Sequence, residues 1–169
     1  MRRSTLMACL AAALLAACST GGADRFLRFL RDELVPRVDA EFRTSSERLL
    51  VGHSLGAIFV TWSLTVAPDV FLARFAHSPA IWRDADVVVD GLSRWLDVTR
   101  QSNRFFYLSV GADEGAGMQT GYYKLQALLA AKAAGTGLRW QAAITPGAVH
   151  DTNVERASEP ALRAYFTPS

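Results

Sequence analysis

Apolar positions in this chain change rhythm from helical spacing to short continuous runs and back again. Phe26, Leu27, Leu30, Leu34 and Val38 recur every three or four residues with charged side chains between them, which predicts a helix over residues 23–42. Pro36 falls inside it and is expected to kink it or end its first part. Residues 48–52 then predict a strand, residues 55–67 an apolar helix stopping before Pro68, and residues 75–78 a second strand. Residues 82–95 read as a loop and a short helix. The run Phe105-Phe106-Tyr107-Leu108-Ser109-Val110 is the clearest strand. A long Ala/Leu-rich helix follows over residues 119–134, ending at Gly135, then a fourth strand over residues 138–144. A final short helix runs to residue 166, with Pro160 tolerable only in its first turn.

Strands that are apolar throughout and alternate with helices predict an α/β fold, a mostly parallel sheet of about four strands flanked by helices. In such sheets reactive groups gather at the carboxyl ends of the strands.

The first residues follow a different pattern. Arg2 and Arg3 precede an apolar stretch from Leu6 to Ala17 that is too short to span a bilayer and ends in small residues, as a secretory signal does. Its end, Leu15-Ala16-Ala17-Cys18, resembles a bacterial lipobox. The expected organisation is a lipoprotein signal peptide over residues 1–17, a short linker over 18–22 starting at a lipidated Cys18, and one α/β domain over 23–169. The expected location is the bacterial cell envelope, and Ser19 hints at the outer membrane, facing the periplasm. Cys9 lies in the signal, so the mature chain is left with Cys18 alone and no intramolecular disulfide.

Half of the residues are hydrophobic and a fifth charged, which places the chain among folded globular domains. Loss of the signal removes two of the 18 basic side chains and brings them level with the 16 acidic ones. A balance near zero supplies no field for nucleic acid. No Cys/His ligand cluster is present, so no metal is expected.

The chemistry concentrates after the first strand. Gly52-His53-Ser54-Leu55-Gly56 is a G-x-S-x-G sequence between an apolar strand and an apolar helix, the context in which a serine is held on a sharp turn above the sheet edge. The Leu55 N–H, at the helix start, points where an oxyanion would form. A serine hydroxyl needs a base. His150 follows the fourth strand, from where it can reach Ser54. His53 is expected to point away from Ser54 and to pack, and His77, near the end of the second strand, either lines the pocket or is structural. The acid that orients His150 is Asp113 or Glu114, in the turn after the clearest strand. Trp82 and residues 118–123 are candidates for lining a substrate pocket.

Taken together, the chain resembles the esterase branch of the α/β-hydrolases that includes esterase D-like and enterochelin-esterase-like enzymes. The resemblance rests on the elbow pentapeptide, Ser78-Pro79-Ala80-Ile81-Trp82, Tyr107-Leu108-Ser109-Val110-Gly111 followed by Glu114, and Pro146-Gly147 followed by His150. It covers residues 21–167 in order. It implies cofactor-free hydrolysis of carboxylic esters such as siderophore esters or small acyl esters, and its G-x-x-acid spacing prefers Glu114 over Asp113. Members of this branch usually have several strands before the elbow strand, and an early loop there supplies a second oxyanion donor. Here a single helix separates the lipobox from the elbow strand. An elbow strand without its neighbour would expose an edge that invites dimerisation. The competing reading is a non-catalytic lipoprotein that uses the hydrolase half-fold as a binding module.

Overall fold

A computed structural model describes Leu10–Ala11, residues 22–83 and residues 85–167. Five parallel strands lie in chain order: β1 (Leu10–Ala11), β2 (Leu49–His53), β3 (Ala73–His77), β4 (Phe105–Gly111) and β5 (Arg139–Thr145). The last four are full strands, as expected from sequence. The helices are α1 (Ala23–Arg28), α2 (Val35–Glu41), α3 (Leu55–Val66), α4 (Ala85–Val98), α5 (Ala116–Lys132) and α6 (His150–Phe166).

Period-2 alternation sorts the strand side chains between two faces. Leu50, Ala76, Phe106, Leu108 and Val110 point to the face covered by α3, α4 and α5, in a core with Val60, Leu64, Leu92, Leu96, Leu125 and Leu129. Leu49, Ala73, Phe75, Phe105 and Tyr107 point to the other face, where Ala161, Leu162 and Tyr165 of α6 cover them. Parallel strands added in one direction through right-handed crossovers place every connecting helix on the same face. Only α6, which follows the last strand, is free to fold back across the other.

Several elements differ from expectation. The predicted helix over residues 23–42 is continuous in path, but its centre, Phe29–Leu34, is π-helical and leads directly into α2. Pro36 has no N–H for the carbonyl four residues back, and where a kink or the end of the first part was expected, the wider turn before it takes up that mismatch. Phe26 keeps this segment on α3 through an edge-on contact with Phe59, ring centroids 5.1 Å apart. The loop and short helix expected over residues 82–95 are a 3-10 turn at Ile81–Arg83 and a helix of 14 residues, α4. The final helix is not short. It has 17 residues, with Pro160 in its interior rather than in its first turn. An interior proline costs roughly 3 kcal/mol, and the packing of Ala161, Leu162 and Tyr165 against the sheet works against that cost.

The edge of β2 is not bare at its centre, since Leu10 and Ala11 pair with Leu50 and Val51. These two residues belong to the segment that reads as a signal. The rest of that segment, with Cys18 and the linker up to residue 21, lies outside the described residues. Among the described residues no helix is long and apolar enough to cross a membrane.

Candidate active site

The register of the sheet brings the ends of β2, β3 and β4 level, with His53 beside His77 and His77 beside Ser109. Ser54 follows β2 immediately and has φ 56° and ψ −116°, a conformation that costs a non-glycine residue on the order of 1–3 kcal/mol. Two sets of contacts hold it there. Its N–H donates to the His77 carbonyl at 3.0 Å, and its own carbonyl accepts from Ala57 at 3.1 Å and Ala80 at 3.3 Å. Gly52 is what lets α3 start so close to β2. A Cβ at that position would run into the Gly56 carbonyl and come within 2.7 Å of Val60 Cγ2.

His150 is the first residue of α6. Its Nε2 lies 3.0 Å from Ser54 Oγ and its Nδ1 lies 2.9 Å from Glu114 Oε2. The Glu114 side chain is fully buried and the His150 side chain is 36% exposed, so the base opens to solvent while the acid does not. The structure thus chooses between the two acids of the turn. Asp113 is exposed, its backbone N–H spent on the Ala148 carbonyl at 3.0 Å, whereas Glu114 turns inward. Besides the imidazole, Glu114 accepts two hydrogen bonds on Oε1, from the Gly111 N–H at 2.6 Å and the Ser78 hydroxyl at 2.5 Å. A carboxylate buried at this depth needs such donors to remain charged.

Behind Glu114 lies a layer to which the sequence assigned no role, although Ser78 and Ser109 stand in segments that carry the family resemblance. Ser78, the residue after β3, has φ 50°. Asn153, one turn into α6, donates through Nδ2 to Ser78 Oγ at 2.8 Å and to Ser109 Oγ at 3.0 Å. An amide nitrogen only donates, so Ser78 must accept from it and spend its single proton on Glu114. His77 Nδ1 lies 2.7 Å from Ser109 Oγ. Burial pushes this imidazole down to about 4, so it is neutral at neutral pH. His77 is therefore the structural alternative of the two readings given above, packed under the site. The segment Ser78-Pro79-Ala80-Ile81-Trp82 was the signal for Ser78, but it named no partner for it, and an asparagine in a helix gave no signal for Asn153.

His53 packs against the ring of His150, and it also makes a polar contact that the sequence reading did not include. Its Nε2 is 2.8 Å from the backbone carbonyl of His150, and the two rings are 4.4 Å apart. Burial, and then the charge on His150, hold its pKa below the usual histidine range. Leu55 is the first residue of α3, so its N–H has no acceptor within the helix. Trp82 is 60% exposed on the 3-10 turn that follows β3. In the other candidate lining, Tyr122 is buried in the core and Tyr123 is exposed, with Met118 between these extremes. Among the described residues no cluster of histidine, cysteine or acidic side chains is placed to hold a metal ion.

Residues 6–153 match the family described as "Putative esterase". Among curated proteins, the chain is 30% identical over 95 residues to the ferri-bacillibactin esterase BesA of Bacillus subtilis (strain 168), covering 56% of this chain and 33% of that protein. It is 31% identical over 85 residues to a siderophore triacetylfusarinine C esterase of Aspergillus fumigatus, covering 49% of this chain and 29% of that one. Among solved structures, the BES protein from Bacillus cereus superposes with a TM-score of 0.75 at 27% identity, over 86% of this chain and 56% of that chain. An IroE-like serine hydrolase from Shewanella oneidensis gives 0.78 at 23% identity, over 87% and 48%, and speaks for the fold alone. The chain thus spans about a third of the length of these curated relatives and about half of these structures. Its α/β-hydrolase sheet, the serine turn at the end of β2 and the match over residues 6–153 make this chain a member of that esterase family.

Proposed function

We propose that the chain is a serine hydrolase of carboxylic esters that works through an acyl-enzyme on Ser54. The observation that carries this reading is the unbroken relay from Ser54 Oγ through His150 to Glu114, at 3.0 and 2.9 Å, beside a strained serine. Ser54 Oγ attacks the ester carbonyl carbon while His150 Nε2 takes its proton. Glu114 holds the Nδ1–H and stabilises the imidazolium, and the Leu55 N–H donates to the tetrahedral oxyanion. Collapse of the intermediate expels the alcohol, which takes the proton back from His150. Water, deprotonated by the same base, then attacks the acyl carbon and frees Ser54. Trp82 is the proposed substrate-binding aromatic; it is 60% exposed and lies two residues after Ala80, whose N–H donates to the Ser54 carbonyl. The names of the two curated relatives favour a siderophore ester as the substrate class.

The test is a fluorophosphonate probe with intact-mass readout, beside Ser54→Ala. Labelling of the wild type alone, together with ester turnover, is the expected result. A folded wild type that is neither labelled nor active would leave the non-catalytic binding module as the better reading.

The proposal for the first segment is export and lipid anchoring at Cys18, supported by Arg2, Arg3, the apolar stretch and Leu15-Ala16-Ala17-Cys18. A second reading is favoured by the pairing of Leu10–Ala11 with β2 and by a family match that begins at residue 6, namely that these residues stay in the sheet. Mass spectrometry of the protein made in a bacterial envelope separates the two. Cleavage before Cys18 with added acyl mass supports the anchor, and an intact N-terminus supports the strand. Cleavage would also uncover the β2 edge and with it the proposed homodimer, which light scattering would detect.

A further inference from the structure

His53 precedes the nucleophile and no step above uses it. As the last residue of β2 it shares the face of Leu49 and Val51, the face that α6 covers. Period-2 alternation therefore aims it at the start of α6, where His150 sits. A carbonyl oxygen only accepts, so the 2.8 Å contact with the His150 carbonyl fixes the proton on His53 Nε2. His150 is thereby held at two points, at Nδ1 by Glu114 and at its backbone by His53. Because His53 and Ser54 are covalently adjacent, the chain segment that bears the nucleophile also grips the backbone of the base.

We infer that His53 is a positioning residue, whose Nε2–H docks the backbone of His150 onto the serine turn and sets the distance between base and nucleophile. A side chain present only to fill space would leave this N–H without purpose, and leucine would serve as well. The inference rests on the hydrolase reading above, because its effect is read at Ser54.

The experiment compares His53→Leu, His53→Gln and His53→Asn in the full chain, following fluorophosphonate labelling of Ser54 across probe concentrations. The Gln amide nitrogen stands about as far along the side chain as imidazole Nε2, and the Asn nitrogen falls short of it. A base displaced by about 1 Å costs on the order of 10²-fold in rate. His53→Leu and His53→Asn should therefore lose roughly ten- to a hundredfold in maximal labelling rate, with little change in the half-saturating probe concentration. His53→Gln should recover most of the loss. If His53→Leu does not fold, as judged by its melting curve, the Gln and Asn pair carries the test. Wild-type rates in His53→Leu, or equal losses in Gln and Asn, overturn the inference while leaving the hydrolase reading intact. If the wild type itself fails to label, the hydrolase reading falls and His53 is judged from ¹⁵N-imidazole spectra. There, Gln must leave the His150 ring resonances in place and Asn must move them, and any other pattern overturns the inference.

Discussion

The two ends of β3 both bury polar side chains, and they do so in opposite ways. At its start Arg74 is fully buried, and among the described residues no carboxylate is hydrogen-bonded to it, Asp69 acting only as a nearby charge. Its Nε donates to Ser63 Oγ at 3.0 Å, Nη1 to the carbonyls of Phe71 at 2.8 Å and Pro68 at 3.4 Å, and Nη2 to those of Ala67 at 2.7 Å and Ser63 at 3.2 Å. These include the last carbonyls of α3, where the helix dipole is negative, so the cation is compensated chiefly by carbonyl dipoles rather than by a paired carboxylate. Burial, followed by the nearby charge of Arg104, lowers this guanidinium to about 9, which still leaves it charged at neutral pH. At the other end of the same strand, His77 Nε2 and Asn153 Oδ1 are buried with no partner among the described residues, and Ser54 and Ser78 both hold positive φ. One pole is satisfied and serves stability. The other carries strain and spare polar capacity, the usual mark of a site kept for chemistry.

The strongest challenge to this contrast is Glu114→Gln. An amide in place of the carboxylate cannot stabilise the imidazolium, and the expected loss is about 10³–10⁴ in kcat, with the melting temperature nearly unchanged. Asp113→Asn, one residue away and exposed, should stay close to wild type. Equal losses in the two variants, measured by ester turnover per labelled Ser54, would remove the distinction between a buried acid and a solvated one.

At the opposite pole the expected pattern is reversed. Arg74→Met removes the donor from five acceptors. The carbonyls of Ser63, Ala67 and Pro68 keep the Ala67 N–H, the Val70 N–H and Arg104 Nε, but the Phe71 carbonyl and Ser63 Oγ are left facing an apolar chain, and unfolding in urea should show a loss of about 3–5 kcal/mol. Arg74→Lys should recover only part of that, since three donors replace five. The molecules that remain folded should label at the wild-type rate. A slower labelling rate in folded Arg74→Met would mean that the two ends are coupled along β3.

Sequence alone exposed the sheet and the outer line of the site because both depend on short patterns. Continuous apolar runs locate strands, and a glycine-flanked serine after one of them locates the turn. Glu114 over Asp113 was carried by spacing in a family, and geometry supplies the physical reason: Gly111, three residues earlier, presents its N–H to the inward-facing carboxylate. In the layer behind, Ser78 and Ser109 stood in segments shared with the family, but what they touch was not legible. Ser78, Ser109 and Asn153 meet across 75 and 44 residues of chain, and no local pattern encodes such a contact. The contact of His53 with the His150 carbonyl was not read from the sequence, where only packing was expected of it. Strand alternation, applied one residue further, places it on the α6 face. Pro160 was misjudged for a different reason: propensity rules describe an isolated helix, and here tertiary burial outweighs them.

The smallest expected effect tests the functional pole through pH. His77 titrates at about 4 in the folded protein, chiefly because burial disfavours the charged ring, against 6.5 for an ordinary histidine. Between these two values the unfolded chain holds a proton that the folded chain refuses, so the histidine destabilises the fold as pH falls through that window. Above pH 6.5 both states are neutral and it contributes no pH dependence. The full difference amounts to about 3 kcal/mol by pH 4. Urea unfolding of wild type and His77→Phe at pH 7 and pH 4 isolates it, since the carboxylates titrate alike in both. Wild type should lose about 3 kcal/mol more than the variant over that range. Parallel losses would mean that the buried end of β3 accepts a proton without cost. Its polar atoms would then already be satisfied, and the two ends of the strand would be alike.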